Sequence, residues 1–256
     1  MPVNLIIDDD VAEVVLDNPG SLNALDRDGL AEVSAAYVEA EHAGVRALIL
    51  RGEGRAFCAG RDISHVDPST DDGVGYLDDL MELMRCMDAF PAPTFAVAHG
   101  ACLGVGLGLL IVTDVVYVSD DARIGSPFAN LGAILDSGGH ALFYERLGAH
   151  RTLDLMYTAE LMSGPEAVAL GLFSRLVPLS DVLEFTRERA RRVAAGPTKA
   201  FLASRKLVAG LRDDRVGFWK SLVDESAAQV ELGKTHDFQE GFGSFGEKRK
   251  PIFTGQ

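Results

Sequence analysis

The sequence predicts an α/β fold succeeded by a mainly helical section, and three observations carry that expectation. Short runs of β-branched and apolar residues at 3–7, 11–17, 47–50, 95–98 and 115–118 have the length of buried strands. Stretches with helical spacing lie between them, and strands that alternate with helices imply parallel pairing. From about Ser137 onward the strand-like runs give way to helical segments at 141–147, 165–170, 181–195, 198–209 and 215–232. The expected division is 1–195 as the α/β core and 196–256 as the helical C-terminal section, with no internal repeat and no linker long enough to separate independent domains.

The first two runs flank the acidic turn Asp8-Asp9-Asp10 and predict an opening hairpin. The segment 25–42 has helical periodicity, with Asp26 as its N-cap and Gly44 as its stop. Leu77, Leu80, Met81, Met84 and Met87 share one helical face, which reads as a core or subunit-contact stripe. Pro165 and Pro197 stand where helices begin, a position that tolerates a missing N–H.

With 256 residues, 47% hydrophobic and 24% charged, the chain has the makeup of a compact globular protein. Its net charge of -14 argues against nucleic acid or an anionic membrane as partner, although Lys248-Arg249-Lys250 form a local basic cluster. Three cysteines, Cys58, Cys86 and Cys102, are too few for a disulfide framework, so a reducing, cytoplasmic setting is expected. The opening MPVNLIIDDD has no secretory pattern. The most apolar stretch, 100–112, is well short of the ~20 residues a membrane helix needs, so no membrane insertion is expected.

Two small-residue segments stand out. The first, Gly-Ala-Cys-Leu-Gly-Val-Gly-Leu-Gly from Gly100 to Gly108, sits between a strand and the apolar run 109–112. A glycine-rich turn that feeds a helix frees backbone N–H groups for an anion. It does not fit a dinucleotide fingerprint, whose third glycine would fall at Leu109. Alone it reads better as a tight strand-to-helix crossing that only glycines can pack. The second segment, Gly52 to Ile63, follows the strand at 47–50 and alone reads as a surface loop in which Cys58 merely packs. Together, the two can each present a backbone N–H to a common site.

The six histidines, His42, His65, His99, His140, His150 and His236, have no metal-ligand spacing. His140 follows Gly139 and is a candidate to face the same pocket as Asp136, though a structural role is the commoner one. Nothing near Cys58 in sequence supplies an activating partner. Gly-x-Ser-x-Gly and phosphate-loop patterns are missing, which counts against ordinary serine hydrolases and phosphate-loop enzymes.

Several motifs follow one another along the chain: Asn18-Pro19 with Leu22-Asn23-Ala24-Leu25, Phe57-Cys58-Ala59-Gly60 with Asp62-Ile63, the glycine-rich turn, Ala167 to Leu172 with Val177, and Glu240-Gly241 with Phe245 and Glu247-Lys248-Arg249. In this order, over nearly the whole chain, they resemble the enoyl-CoA hydratase/isomerase (crotonase) superfamily. The resemblance implies a spiral of ββα units whose helical C-terminal section trimerises, giving a homotrimer or hexamer, and an isomerase or lyase of fatty acid metabolism acting on an acyl-CoA thioester. Coenzyme A is then part of the substrate, and no separate cofactor is expected.

By the same resemblance, the backbone N–H groups of Arg61 and Val105 form an oxyanion hole for the thioester carbonyl. Any residue but proline supplies such a donor, so an arginine and a valine do not disable it. CoA is expected along Ser21, Leu22, Ala59, Asp62 and Ile63, with Lys248 reaching its phosphates, from a neighbouring subunit if not its own. Family hydratases carry two glutamates where this chain has Gly108 and Phe128, which argues against simple hydration. Asp136 matches the aspartate that family isomerases carry. Beside Ile134 and Leu135 its pKa is expected to rise, suiting proton transfer, while the blander role is to cap a helix beginning at Ser137.

The expected reaction is a double-bond shift in which Asp136 removes a proton and returns it at another carbon. The alternatives are a hydratase or thioester hydrolase using water held by Asp136, and a non-catalytic acyl-CoA-binding protein. In any of these the methionine-rich stripe could instead wall a flexible acyl chain.

Overall fold

The computed structural model describes residues 2–64, 66–67 and 70–254, so His65 lies outside the described residues. β1 (Val3–Asp8) and β2 (Val11–Leu16) form the expected antiparallel hairpin, turning at Asp9. α1 (Arg27–His42) is capped by the Asp26 side chain, which accepts from the Gly29 N–H, and is followed by Gly44 with φ 72. β3 (Ala47–Gly52), α2 (Gly73–Asp88), β4 (Thr94–Ala98), β5 (Ala101–Leu103), α3 (Val105–Ile111), β6 (Val115–Ser119) and β7 (Arg123–Gly125) follow in turn.

Next come α4 (Gly139–Thr158), β8 (Met162–Ser163), α5 (Gly164–Ala169), β9 (Arg175–Val177) and α6 (Val182–Ala194). The chain continues through α7 (Thr198–Val216), α8 (Phe218–Leu232) and α9 (His236–Gly246). The expected helix at 141–147 is the first half of α4, which breaks at Gly148, where φ is 73 and ψ 172. The expectation at 215–232 starts too early, because Gly217 in the left-handed region separates α7 from α8. Asp136 does not cap a helix at Ser137: α4 begins at Gly139, with Gly138 as its N-cap.

Six strands form the main sheet in the order β1-β2-β3-β4-β6-β9, parallel throughout apart from the β1–β2 pair. A second, small sheet has the order β5-β7-β8. Strand alternation splits the core across the main sheet. Leu48 and Leu50 of β3 and Ala96 and Ala98 of β4 face the larger cluster with α1 and α2. Ala47, Ile49, Phe95 and Val97 face the other way, toward Val182 and Ala190 of α6. Both faces are therefore covered, as parallel sheets require.

The stripe on α2 is mainly core: Leu77, Leu80, Met84 and Met87 are buried and Met81 packs against them half-buried, while Leu77 also lines a cavity described below. Among the described residues, no helix is long and apolar enough to cross a membrane.

Candidate active site

Three strand ends and the loops that follow them meet beside α3. After β2 the chain makes a tight turn in which Leu22 and Asn23 both have positive φ, 54 and 59. That strain is offset by what Asn23 ties together. Its Oδ1 accepts from the Asn18 N–H at 2.8 Å, and its amide donates to the Ala56 carbonyl at 2.8 Å and the Glu53 carbonyl at 3.0 Å. The Leu22 carbonyl in turn accepts from the Ala59 N–H at 2.9 Å. The turn thus serves as a bracket for the loop after β3.

That loop is pinned on both sides. Phe57 and Cys58 donate to the carbonyls of His99 and Ala101, and Leu103 donates back to Cys58. On the opposite flank Leu25 donates to the Gly60 carbonyl and accepts from the Asp62 N–H. Arg61 bridges Leu25 in parallel fashion, which points its own N–H away from Leu25, onto the flank where residues 103–105 run. Gly60, with φ 106, permits the approach: a Cβ there would lie 3.1 Å from the Leu103 carbonyl oxygen and 3.7 Å from the Val105 nitrogen. Val105 is the first residue of α3, so its N–H has no acceptor within the helix. The two small-residue segments therefore do converge, and the glycine-rich turn is both a packed crossing and a source of a free donor.

Beside them opens a cavity of about 590 Å³, lined by Ser21, Ala59, Arg61, Asp62, Ile63 and Asp136 among others. Leu22, Val105 and Lys248 are not part of the lining; the wall at the α3 turn is Gly104. Lys248 is exposed, just past the end of α9. The far wall is aromatic, with Phe128 joined by Phe238, Phe242 and Phe245 of α9, and Gln229 of α8. Both sections of the chain, before and after residue 195, thus contribute to it. A second cavity of about 670 Å³ lies under α7, but its acids Asp114, Asp88 and Glu145 are paired with Arg205, Arg212 and Arg146 respectively.

Asp136 is 6% exposed. Burial pushes its carboxyl from the ordinary 3.8 up to about 7. Donation from Ser137 Oγ at 2.9 Å works against that rise, the nearby Glu225 carboxylate adds to it and the Arg61 guanidinium opposes it. The other two acids of the lining are more exposed and engaged elsewhere: Asp62 accepts from the Ser64 N–H and hydroxyl, and Asp71 pairs with Arg61 at 2.6 Å. The Arg61 guanidinium also lies 4.2 Å from the centre of the Tyr76 ring.

Of the two positions where family hydratases carry glutamate, Gly108 has no room for one as built, and the other holds the Phe128 ring. A Cβ at Gly108 would fall on the Cβ of Ser137, and Phe128 fills its own position with an aromatic ring against Gly104. His140 does not face this cavity. It borders a separate shallow depression with Lys220 and Asp224, and its Nδ1 lies 2.9 Å from Glu225. Cys58 is buried, and burial pushes its thiol up to about 12, so it stays a neutral packing group.

The sequence reading missed Glu225, Gln229 and the phenylalanines of α9. A signal was present: Phe218, Leu222, Glu225 and Gln229 fall on one helical face, so an acid interrupts an apolar stripe.

Over residues 7–256 the chain matches the family model described as enoyl-CoA hydratase/isomerase. It is 34% identical over 255 residues to a probable enoyl-CoA hydratase of Rhodobacter capsulatus, covering 98% of this chain and 96% of that one. It is 30% identical over 257 residues to an enoyl-CoA isomerase/hydratase of Mycosarcoma maydis, covering 96% of this chain and 93% of the other. The crystal structure of an enoyl-CoA hydratase from Mycobacterium avium subsp. paratuberculosis superposes with a TM-score of 0.86 at 26% identity, over 98% of each chain.

Proposed function

The chain belongs to the enoyl-CoA hydratase/isomerase family, and on that premise we propose that it shifts a double bond in an acyl-CoA, with Asp136 carrying the proton. The observation that carries this reading is Asp136 itself: a buried carboxyl titrating at about 7 in the wall of a cavity whose other two acids are already engaged. Near neutral pH such a group is present both as base and as acid, which a proton shuttle needs.

In the proposed reaction, the thioester oxygen accepts hydrogen bonds from the N–H groups of Arg61 and Val105. Asp136 takes a proton from C2 of a 3-enoyl chain, and the C–H electron pair delocalises into a dienolate whose charge rests on that oxygen. The protonated Asp136 then delivers the proton to C4, leaving the double bond between C2 and C3. Removing one such backbone donor typically costs about 10²–10³ in rate, so both are required. Hydration would need a second carboxylate to activate water, and Gly108 and Phe128 supply none.

CoA is assigned along Ser21, Leu22, Ala59, Asp62 and Ile63, with Lys248 on its phosphates. Assembly into trimers or hexamers is part of the same reading; Leu207, Val208 and Leu211, 72%, 66% and 70% exposed on α7, offer an apolar face for it. A mass measurement in solution checks this.

The decisive experiment supplies trans-3-hexenoyl-CoA and follows the absorbance of the conjugated thioester. The wild-type protein should generate it and Asp136→Asn should not. Hydration of crotonyl-CoA at a comparable rate would sink the isomerase reading. Tight binding with no turnover of 2-enoyl, 3-enoyl or dienoyl-CoA by either form would instead indicate a carrier.

A further inference from the structure

Asp136 stands on a stretch that is neither helix nor strand, between Gly132 and Gly138, both in the left-handed region. Such a stretch has no ladder or helix to hold its N–H groups. Gly138 is also the N-cap of α4, and it must be glycine, since a Cβ there would lie 2.6 Å from the Phe218 ring. A glycine cannot cap with its own side chain. The cap comes from α8 instead. Glu225, 3% exposed, accepts from the Gly138 N–H at 2.7 Å and from the His140 N–H at 3.1 Å. One helical turn on, Gln229 Oε1 accepts from the Ile134 N–H at 3.0 Å. Ile134 and Gly138 each stand two residues from Asp136, one on either side.

We propose that Glu225 and Gln229 are positioning residues for Asp136, gripping both shoulders of its loop and so fixing where its carboxyl stands in the cavity. The proposal rests on the reading of Asp136 as proton carrier. A carboxylate buried beside another acid is a poor choice for capping alone, because it opposes the ionisation of its neighbour. Here that opposition has a use: it adds to the rise that burial imposes on Asp136, toward the pH at which a carboxyl can both take and give a proton. The titratable groups that face Asp136 are Glu225 from α8, Arg61 from the loop after β3 and Tyr76 from α2.

The test compares wild type with Glu225→Gln, Gln229→Leu and Asp136→Asn. The side-chain carboxyl of Asp136 is titrated by carbon-13 NMR, its signal assigned by its loss in Asp136→Asn. Turnover is measured on trans-3-hexenoyl-CoA, and affinity for the unreactive hexanoyl-CoA is measured separately. Glu225→Gln should lower the Asp136 midpoint. It should also cut kcat about tenfold or more, with hexanoyl-CoA affinity within about twofold of wild type. Gln229→Leu should lower kcat without moving the midpoint.

An unmoved midpoint in Glu225→Gln, or wild-type kcat in Gln229→Leu, overturns the proposal. If Glu225→Gln does not fold, Gln229→Leu decides the matter by its kcat. Wild-type turnover in Asp136→Asn would instead remove the proton-carrier reading, while the NMR midpoint would still report whether Glu225 acts on Asp136.

Discussion

Gly108 lies against Ser137 so closely that a side chain at 108 would occupy the place of the serine's Cβ. Replacing a mid-helix glycine with alanine ordinarily gains about 0.5–1 kcal/mol. Here Gly108→Ala should cost about 1–3 kcal/mol, because it overpacks a filled core. At roughly 2–4 °C per kcal/mol for a chain of this size, thermal unfolding will register it. Gly108→Glu should be worse and should not create hydration of crotonyl-CoA; hydratase activity in that variant would contradict this picture of the wall.

Val105 offers a clean way to delete one donor. Proline is well tolerated at the first position of a helix, where its missing N–H has no intrahelical partner to lose. Val105→Pro should therefore leave α3 and the circular dichroism spectrum intact while lowering kcat by about 10²–10³. Val105→Ala should keep most of the turnover. Equal effects of the two would mean that the side chain, not the N–H, matters.

Asp136 gives a pH signature with a definite sign. Its carboxyl titrates at 3.8 in an unperturbed chain and at about 7 when folded. Between those values the native state keeps a proton that the unfolded chain has released, so this group's contribution to stability declines as pH rises. Asp136→Asn lacks the effect. Its stability relative to wild type should improve from pH 4 to pH 7, by at most ~4 kcal/mol. In wild type, kcat/KM should rise with pH through the same carboxyl's midpoint; a flat profile would exclude Asp136 as the base.

Lys248 is exposed, and its neighbour Arg249 is committed to Glu240 and Glu247. Lys248→Ala should weaken CoA binding roughly two- to fivefold at low salt, the scale of an exposed ion pair. The difference should shrink as salt is added. Unchanged affinity at both salt concentrations would retire the assignment.

The strands were legible because each is a short apolar run with a turn at its end. The site loops were legible because their small residues, Ala59, Gly60 and Gly104, are unusual in sequence. Much else depended on contacts between distant segments. α9 carries Gly241, Gly243 and Gly246, poor helix formers, and is held by tertiary contact rather than by propensity. β8 is two residues long and exists through its pairing with β7. Glu225 and Gln229 reach the Asp136 loop from 87 and 95 residues away, a separation that no local pattern encodes. Asp136, singled out in sequence, does line the cavity, yet its blander role failed because Gly138, not Asp136, is the N-cap of the helix.

The burial of Asp136 has one more consequence, which concerns isotopes. A carboxyl that is 6% exposed presents little surface to bulk water. On the proposed reaction, a deuterium lifted from C2 would be shielded while it rides on Asp136, and part of it should reappear at C4 of the same molecule even when the reaction runs in ordinary water. The fraction retained measures how long the deuteron stays in the cavity against how often solvent reaches it, so one small side chain would give the active site a memory of where its proton came from.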